Sequence, residues 1–567
     1  MLMLLLSWLY IGGMSLIVGL CGLRFASVVL KVEHKTARIS PDYPILLGFV
    51  LITMMLAYAS LLSPMGWQVH VLLIMATGFL AWFVRSDLKE WWLLLREGWS
   101  AGSVPFRIGA VLLLFIAMHA IIINNNFIDT RLYHSQAIQW IREFAVVPGL
   151  GNLHGRFAFN SHYFLSAGLF SSLYSSAQML YPLFSFFFLV VVLRLLYTMD
   201  VAVREHSWQK FSIYGVLLFV FAYQTVQRLS STSTDDITCI LVFYTFFLFL
   251  DYRFQPQREL HLFILWAIVF TAVTFKLSSV FIVAIIPFTF RFLNTRRLIV
   301  ATSLAAAILL PFVVRNIILS GYLVYPYPGL DLLAVEWKIP MEAVVFEKEL
   351  VEAWAKLPNP PVPEIEAANI LKLSFLDWFR EWWPAQTLRW QMILILNIVP
   401  LVLLPIYFFR RQYDLAVICL IIIVNVLFWF FRAPDPRFAY GFLFFGLAIS
   451  LSIPLALMFR FVPVGKVMVV AVPVALLLVM YTKSDVDFTK NMKASLFLIP
   501  NEMETIETEV FVAHNVQVHI PRNGKLLCFN TPLPCTPYPN SGLMLRGRDL
   551  QSGFRVIPGY LPQISRE

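Results

Sequence analysis

The sequence predicts an all-α polytopic membrane protein with about fourteen transmembrane helices, and three observations support this fold class. Of its 567 residues, 59% are hydrophobic and only 13% are charged, whereas a soluble domain carries about 25% charged residues. Apolar segments of about 20 residues recur along the chain. Basic residues concentrate in alternate connections between them. These features exclude a soluble enzyme, a disordered protein and a nucleic-acid-binding protein.

The predicted spans are the apolar segments that are long enough to cross a hydrocarbon core about 30 Å thick. They cover roughly 2–22, 44–62, 69–85, 106–124, 177–198, 211–227, 235–251, 259–275, 277–293, 298–319, 390–409, 414–432, 439–459 and 466–482. The first has no basic region before its apolar run and no A-x-A-like cleavage site. We therefore expect a retained helix and not a cleaved signal peptide.

Basic residues test this count, because lysine and arginine collect in cytoplasmic connections. With the N-terminus outside, every connection that faces the cytoplasm is basic, whereas each short outer connection carries at most two basic residues. The cytoplasmic residues are Arg24, Lys31, Lys35, Arg38, Lys89, Arg96, Arg204, Lys210, Arg253, Arg258, Arg291, Arg296, Arg297, Arg410, Arg411, Arg460 and Lys466. The net charge of +10 therefore follows from topology and requires no anionic partner.

The predicted spans divide the chain into five parts, three of which contain outer segments. The parts are N-terminal transmembrane helices (1–105), a membrane core (106–319) with a first outer loop (125–176), an outer loop (320–389), C-terminal transmembrane helices (390–482) and a small extracytoplasmic tail domain with some β structure (483–567).

Local patterns predict structure within these outer segments. Leu132 to Phe144 has apolar residues at helical spacing, which indicates an amphipathic helix on the membrane surface. Residues 160–176 form a second, juxtamembrane helix, and Glu342 to Leu357 a charged one. In the tail, alternation around Val510 to Ile520 predicts strands, with a turn at Arg522-Asn523-Gly524.

Asp129 is the first candidate functional residue. It lies just beyond the fourth predicted span and is followed by Arg131, Tyr133 and His134. A carboxylate at the lipid–water boundary can accept a proton from the hydroxyl group of an acceptor. The alternative is a solvated helix end, but the polar neighbours and the surface helix that follows favour a functional role.

Two further outer connections are polar. Residues 147–162 are rich in glycine and carry His154, Arg156, Asn160 and His162, which either line a polar site or belong to an ordinary juxtamembrane loop. The glycines match neither a P-loop nor a dinucleotide fingerprint.

The second of these connections leads into an acidic helix start. Asp235 and Asp236 begin the seventh predicted span, where carboxylates suit the positive end of the helix dipole. Capping explains one of them. Two aspartates at the start of a membrane span favour a functional site, and Asp236 is the preferred site residue over Asp235.

Three outer cations are candidates for binding a phosphate. Lys276 lies in a short turn between two spans, and its alternative role is snorkelling to the interface. Arg315 and Asn316 end the tenth span, and Arg437 lies in a short outer loop in which prolines flank Asp435. Cations that only set the topology would lie on the cytoplasmic side, so these three outer cations need another role. Guanidinium groups bind phosphate through paired hydrogen bonds.

The five cysteines show no zinc-binding spacing. Cys21, Cys239 and Cys419 lie in apolar runs and are predicted as buried thiols. Cys528 and Cys535 lie in the tail, where six residues with two prolines separate them. On the oxidising outer side we expect a disulfide, and in the cytoplasm two free thiols.

At the level of extended motifs, the chain resembles the GT-C superfamily of polyprenyl-phosphate-dependent glycosyltransferases. That superfamily includes protein O-mannosyltransferases and the aminoarabinose transferase that modifies lipid A. More closely it is similar to a bacterial family of GT-C-like membrane proteins. The segments that carry this resemblance are FIDTRLYHSQAIQWIREFAVVPGLGNLHGRFAFNS, RNIILSGYLVYPYPGLDLLAVEWKIP, PDPRFAYG and LPCTP.

The resemblance implies roles for particular residues. Asp129 matches the first-loop acidic residue that acts as a base or orients the acceptor, and Asp236, or less closely Asp235, matches a second outer acidic position. Lys276, Arg315 and Arg437 become candidates for holding the donor phosphate. The chain departs from the superfamily in two respects: three spans precede the one that ends at Asp129, and Asp-Thr replaces Asp-Glu there. The second difference leaves a divalent metal cofactor open.

The expected function is therefore an inverting glycosyltransferase of the bacterial inner membrane, with its site on the periplasmic face. Its donor is a sugar on a polyprenyl phosphate, and its acceptor a glycan or lipid. Arg131, His134, His154, Arg156 and His162 are further candidate substrate-binding residues. The alternatives are a transporter or flippase, and a polymerase or ligase, of lipid-linked glycans.

Overall fold

The structure, a computed structural model, describes residues 2–33, 39–123, 128–171, 181–251, 258–357, 364–461, 465–483, 506–522 and 527–558. It is mostly helical, with a few short strands near the C-terminus. The α-helices are α1 (Leu2–Leu30), α2 (Asp42–Ala59), α3 (Trp67–Phe83), α4 (Arg85–Ala101), α5 (Val104–Ile123), α6 (Ser135–Glu143), α7 (Tyr163–Ser171), α8 (Pro182–Arg204), α9 (Trp208–Thr225), α10 (Thr234–Asp251), α11 (Arg258–Phe275), α12 (Thr295–Ser320), α13 (Met341–Lys356), α14 (Glu364–Lys372), α15 (Phe375–Ala385), α16 (Leu388–Leu396), α17 (Val399–Phe409), α18 (Tyr413–Arg432), α19 (Tyr440–Phe461) and α20 (Gly465–Lys483).

Among the described residues, eight helical segments are long and apolar enough to cross a membrane by length and composition. A ninth span results if α3 and α4, which are bent by 81° at their junction, are counted as one. Apolar residues dominate because a membrane-spanning helix exposes its side chains to lipid. The coarse prediction of a helical protein with many apolar helices is confirmed.

The segment predicted as a span at 277–293 is not an α-helix. Leu277–Phe292 forms a 3-10 helix of 16 residues that contains Pro287. Because a 3-10 helix rises about 2.0 Å per residue, it reaches roughly 32 Å. Hydropathy does not separate the two helix types, since both satisfy their backbone hydrogen bonds within the segment.

A helix also replaces the connection that the sequence predicted around Lys89 and Arg96. α4 turns away from α3, and its exposed side carries Trp92, Leu95 and Trp99 among charged residues. This mixture is typical of a helix in the membrane interface. The predicted basic connection is thus wrong in its local structure, because the tryptophans and leucines recur at helical spacing.

Two glycines let α1 and α2 approach closely. A Cβ atom on Gly19 would lie 1.7 Å from the backbone oxygen of Pro44, and one on Gly48 would lie 1.7 Å from that of Ser15. Small residues at such crossings are how membrane helices bring their backbones together.

The predicted amphipathic helix Leu132 to Phe144 is found as two consecutive segments, a π-helix at Thr130–His134 and then α6. Its polar side is covered by protein, which differs from a helix lying on the membrane surface. Gln136 donates to the backbone oxygens of Phe529 and Thr531 at 3.0 and 2.7 Å. The tail therefore satisfies polar groups that the sequence pattern assigned to solvent.

The tail contains two small antiparallel sheets. β1 (Thr508–Ala513) pairs with β2 (Val516–Pro521), and β3 (Leu543–Leu545) pairs with β4 (Phe554–Val556). The first hairpin reverses at residues 514–515. Of the predicted turn at Arg522-Asn523-Gly524, residues 523 and 524 lie outside the described residues. Lys35, Arg38 and Arg253 of the predicted connections also lie outside them.

Candidate active site

Arg437 connects two carboxylates at one end of the bundle. Its Nη1 donates to Oδ2 of Asp129 at 3.0 Å, and its Nη2 lies 2.9 Å from Oδ2 of Asp435. Asp435 also accepts from the backbone nitrogen of Arg437 at 3.0 Å. The indole groups of Trp382 and Trp429 donate to backbone oxygens of the same loop. The loop is thereby fixed, and it presents the guanidinium to Asp129.

The first turn of α10 supplies a second acidic pair. Asp235 forms a close ion pair with Lys276, and Oδ1 of Asp236 accepts from Arg228 at 2.8 Å. The ammonium of Lys276 also lies 4.3 Å from the centre of the Phe438 ring, directly beside Arg437 in sequence. The two acidic pairs therefore belong to one cluster. We call the end of the bundle at which α10 begins the site end.

Backbone and hydroxyl contacts explain why distant segments meet there. Thr232, just before α10, contacts both Thr130 and His134, at 3.2 and 3.0 Å between side-chain atoms. Ser161 donates to the backbone oxygen of Phe275 at 2.8 Å, which ties the first outer loop to the end of α11. These bonds hold the segment after Asp129 against the connections that carry the second acidic pair and Lys276.

Asp129 is ionised at neutral pH. Burial acts to raise its pKa, but nearby positive charge, including the guanidinium groups of Arg437 and Arg156, outweighs burial and brings the pKa below its ordinary value of 3.8. Burial also lowers the pKa of His134 to about 3, so this ring is neutral. We therefore attribute the lowered pKa of Asp129 to the two guanidinium groups.

Lys276 changes charge close to neutral pH. Burial, assisted by Arg437 and opposed by Asp435 and Asp129, lowers its pKa to about 7. The contact with Asp235 favours the charged ammonium. An anion that enters the cluster would stabilise the same form, so anion binding and protonation of Lys276 are coupled.

Arg156 extends the cluster away from the bundle axis. Its guanidinium lies 5.5 Å from the centre of the Tyr133 ring, and its Nε lies 3.4 Å from Oε1 of Glu347. Burial raises the pKa of Glu347. His154 accepts from the backbone nitrogen of Arg156 at 3.3 Å. Two of the predicted loop residues, Arg156 and His154, thus lie beside the cluster of Asp129.

Arg315 and Asn316 belong to a different network. Arg315 donates to Asn160 at 2.9 Å and to Ser60 at 2.6 Å, and Asn160 donates to the side chain of Asn316 at 3.0 Å. His162 packs against the ring of Phe312 one helical turn away. Within the described residues this network contains no carboxylate, and its bonds join α2, α12 and the first outer loop. Arg315 is thus held in a network separate from Lys276 and Arg437, and its predicted phosphate contact stays a prediction.

The disulfide loop of the tail fastens the segment that follows Asp129. Cys528 and Cys535 form a disulfide. Between them, the backbone nitrogen of Phe529 donates to the backbone oxygen of Arg131 at 2.9 Å, and the Arg131 guanidinium lies 5.5 Å from the Phe529 ring. Arg131 therefore contacts the tail, whereas the sequence predicted it as a substrate-binding residue.

An apolar groove of about 480 Å³ runs beside the site end. It extends along α9 from Phe211 to Tyr223, a rise of about 18 Å, and Arg389 lies at its site end. The Arg389 guanidinium lies 5.0 Å from the centres of the Tyr223 and Trp390 rings. The other lining residues are Met199, Ser212, Gly215, Val216, Phe219, Val220, Met392, Ile393, Leu396, Leu447, Leu451, Leu455, Met458, Phe459, Met468 and Val472.

Stacked side chains connect the groove to the acidic cluster. Trp390 is parallel to Tyr440 within 5°, with 5.6 Å between ring centres, and the Arg228 guanidinium lies 5.6 Å from the Tyr440 ring. Arg228 in turn binds Asp236. These contacts bring the Arg389 end of the groove next to the acidic cluster.

The sequence did not single out Arg228, Glu347 and Arg389 as site residues. Arg228 precedes the acidic pair by only a few residues, and this proximity is a signal that the sequence did contain. Glu347 is one of several acidic residues in a charged helix, and Arg389 lies at the expected boundary of an outer loop. No pattern distinguishes those two, because their roles depend on which segments pack against them.

The arrangement does not resemble a metal centre. In the described part of the chain no group of three or more His, Cys, Asp or Glu side chains has the geometry of a metal site. Asp129, Asp235, Asp236 and Asp435 each face a cation. The donor set therefore fits an anion that competes for those cations better than it fits a divalent metal ion.

Comparison with known proteins identifies the family. Residues 1–444 match the family model described as "Domain of unknown function (DUF8201)", and the chain belongs to this family. The match covers the bundle up to the first turn of α19, and so includes every residue of the acidic cluster. No curated protein and no solved structure matches the chain.

Proposed function

We propose that this protein is a GT-C-type glycosyltransferase that moves a sugar from a polyprenyl-phosphate donor to an extracytoplasmic glycan or lipid acceptor. One observation carries the proposal. Asp129 and Arg437, which are 308 positions apart, meet at the site end beside Lys276 and a second acidic pair. A carboxylate facing several cations suits a reaction that deprotonates one substrate and releases phosphate from the other.

The donor is divided between the groove and the cluster. Its polyprenyl chain lies in the apolar groove, and its phosphate binds at the site end. There Lys276, Arg437 and Arg228 exchange contacts with their carboxylate partners for contacts with the phosphate. Arg389 at the end of the groove supplies an additional cation for the same phosphate. Guanidinium groups suit this role because they form paired hydrogen bonds with phosphate oxygens.

The transfer step uses Asp129 on the acceptor side. The acceptor oxygen attacks the anomeric carbon from the face opposite the phosphate, the bond from that carbon to the phosphate oxygen breaks, and the polyprenyl phosphate leaves. The acceptor proton passes to the Asp129 carboxylate. Because its pKa is low, Asp129 is a weak base and takes the proton late, after the new bond has made the acceptor oxygen acidic. Inversion at the anomeric carbon follows.

The site end is the periplasmic face of a bacterial inner membrane in this proposal. The disulfide at that end suits an oxidising compartment, and the sequence predicts the basic connections on the opposite side of the spans. The full count of about fourteen spans is part of the proposal, with the long 3-10 helix as one of them.

The experiment is turnover by purified protein in proteoliposomes that contain a radiolabelled polyprenyl-phosphate sugar and an extract of envelope glycans and lipids. We expect label to move to an acceptor, and Asp129→Asn to reduce this by at least a hundredfold. The matched control is Asp331→Asn, because Asp331 pairs with Lys338 outside the cluster. Near-wild-type transfer by Asp129→Asn contradicts the assigned role.

The same liposomes distinguish the alternatives. A flippase moves the labelled lipid between leaflets without transferring its sugar, and a polymerase or ligase transfers only glycans larger than one sugar. Convergence of Asp129 and the cations on one end of the bundle supports a transferase over a transporter, which requires polar groups along a route through the membrane.

A further inference from the structure

A cavity of about 310 Å³ lies beside Arg156, outside the acidic cluster. Three segments that are far apart in sequence build it: the first outer loop, α13 with the chain before it, and the tail. The lining residues are Gly151, Asn152, Leu153, His154, Gly155, Arg156, Tyr325, Ile339, Pro340, Glu342, Ala343, Phe346, Glu347, Leu350, Tyr538 and Val556. We name it the Tyr538 cavity, after the tail residue that forms part of its wall.

A buried hydrogen-bond donor lines this cavity without a protein acceptor. The His154 side chain is 5% exposed, and its Nδ1 accepts from the backbone nitrogen of Arg156. Burial lowers the pKa of His154 to about 3, so the ring is neutral and carries its hydrogen on Nε2. Within the described residues Nε2 has no hydrogen-bond partner. Such a group is costly to bury without a partner, and because Nε2 is closed to solvent, a ligand in the cavity reaches it only when the wall around His154 shifts.

The cavity also has an acceptor and a polar hydroxyl group nearby. Oε1 of Glu347 forms an ion pair with Arg156 Nε at 3.4 Å. A Cβ atom on Gly155 would lie 3.0 Å from both Oε2 of Glu347 and the hydroxyl of Tyr325. Glycine therefore leaves room for these two polar groups at the cavity wall.

The charge of the wall selects the kind of ligand. Arg156 is the one cation among the lining residues, and Glu342 and Glu347 are two anions. A phosphate or a carboxylate would meet a net negative wall. A neutral sugar satisfies His154 and Glu347 through hydroxyl groups that both donate and accept, and its C–H faces pack against the Tyr325, Phe346 and Tyr538 rings.

The cavity adjoins the group that we assign to the acceptor. The Arg156 guanidinium contacts the Tyr133 ring on one side and Glu347 on the other, and it acts electrostatically on Asp129. We infer that the Tyr538 cavity binds a neutral, unphosphorylated sugar unit of the acceptor and directs it toward Asp129. This inference rests on the proposed function, and it gives the tail a role in acceptor recognition through Tyr538.

The first test is binding of methyl α-D-mannopyranoside, methyl β-D-galactopyranoside and methyl N-acetyl-β-D-glucosaminide to the full chain, with glucose 6-phosphate as the charged comparison, by saturation-transfer NMR. We expect at least one neutral glycoside to bind and glucose 6-phosphate to bind at least tenfold more weakly. Equal binding of the charged sugar, or no binding of any neutral glycoside, overturns the inference.

Variants locate the binding. His154→Ala and Glu347→Gln should each weaken glycoside binding about tenfold, the effect of about 1.4 kcal/mol. His154→Gln retains a side-chain donor and should lose less than threefold, which separates a lost hydrogen bond from misfolding. Glu352→Gln is the matched control, because Glu352 lies on α13 and pairs with Lys348. Equal effects of Glu347→Gln and Glu352→Gln contradict the inference.

Kinetics separate this inference from the proposed function. In the transfer reaction, Tyr538→Ala should raise the acceptor KM about tenfold and leave the donor KM unchanged. An increase in the donor KM instead means that the cavity holds the donor sugar, which overturns the inference while transfer stands. If glycosides bind in this cavity but the protein has no transfer activity, the proposed function is overturned and the inference of a sugar-binding site stands.

Discussion

Two charged clusters lie at the two ends of α10, and they are built differently. At the site end, Asp235 and Asp236 in the first turn bind two different cations, Lys276 and Arg228. At the opposite end, Asp251 is the last residue of the helix and shares one cation, Arg194, with a second carboxylate of α2. One helix thus carries both a distributed and a shared arrangement of charge.

The opposite cluster has a structural role, and we call it the Arg194 joint because it holds three helices together. Arg194 lies 3.0 Å from Oδ1 of Asp42 and 2.9 Å from Oδ2 of Asp251, and Tyr43 donates to Asp251 at 2.8 Å. These bonds join α2, α8 and α10 around a single guanidinium. Removing Arg194 leaves both carboxylates without their cation, so the cluster tolerates little change at this position.

The site-end cluster differs because its cations lie on three separate segments, where Lys276 and Arg228 each pair with one carboxylate and Arg437 pairs with two. An incoming phosphate exchanges one such partner without leaving the others unpaired. The apolar groove and the Tyr538 cavity also reach this end. The comparison teaches that the number of charged residues does not identify a functional site. Ion pairs that can open independently, next to cavities large enough for a ligand, do identify one.

Substitution of Arg437 should have the largest effect on activity. We expect Arg437→Gln to lower kcat/KM for transfer by about a hundredfold to a thousandfold, because one electrostatic donor of a developing phosphate charge is lost. The thermal midpoint should fall as well, because Arg437 is largely buried and pairs with two carboxylates, so transfer is measured per folded molecule. A large loss of stability with normal transfer by the folded fraction would make the site-end cluster structural too.

The matching substitution at the other end should act on stability and not on activity. We expect Arg194→Gln to lower the free energy of unfolding by about 3 kcal/mol, because it leaves two carboxylates without their cation, and to leave transfer per folded molecule unchanged. Denaturation in one detergent measures this. The control is Glu205→Gln, whose exposed partner Lys210 lies 3.8 Å away and whose loss should cost less than about 1 kcal/mol.

Removal of the disulfide should loosen the site end and not the Arg194 joint. We expect the double substitution Cys528→Ser and Cys535→Ser to cost about 2 kcal/mol in the tail. Hydrogen exchange should then accelerate in α6, which the loop fastens through Gln136, and stay unchanged in the last turns of α10. Cys21→Ser is the control, because Cys21 forms no disulfide. Unchanged hydrogen exchange in α6 would show that the disulfide loop does not stabilise the site end.

The smallest effect concerns pH. Because the pKa of Lys276 is lowered to about 7, the ammonium is mostly charged at pH 6 and mostly neutral at pH 8. The phosphodiester of the donor keeps its charge over this range. Donor binding to the free protein should therefore weaken by up to about tenfold as pH rises from 6 to 8, and Lys276→Arg should abolish this dependence. A wild-type affinity that is constant from pH 6 to 8 contradicts the role of Lys276.

The site was predicted unevenly, and the reason is physical. Asp129, Asp235 and Lys276 stood out because charges are costly beside apolar helices, a rule that needs no tertiary structure. Glu347 did not stand out, because acidic residues are ordinary in an exposed helix and only packing against Arg156 makes this one special. Arg315 stood out for the same reason as Lys276, yet its contacts are with amides and a hydroxyl.

The sequence by itself determined the apolar helices and the polar segments between them, because hydropathy is local and each helix satisfies its own backbone. It also marked most of the charged residues that matter. Only the tertiary structure decided which charges face each other, that residues 277–292 wind as a 3-10 helix, and that the tail completes a cavity beside the cluster. Those outcomes depend on contacts between residues hundreds of positions apart, which no local pattern encodes.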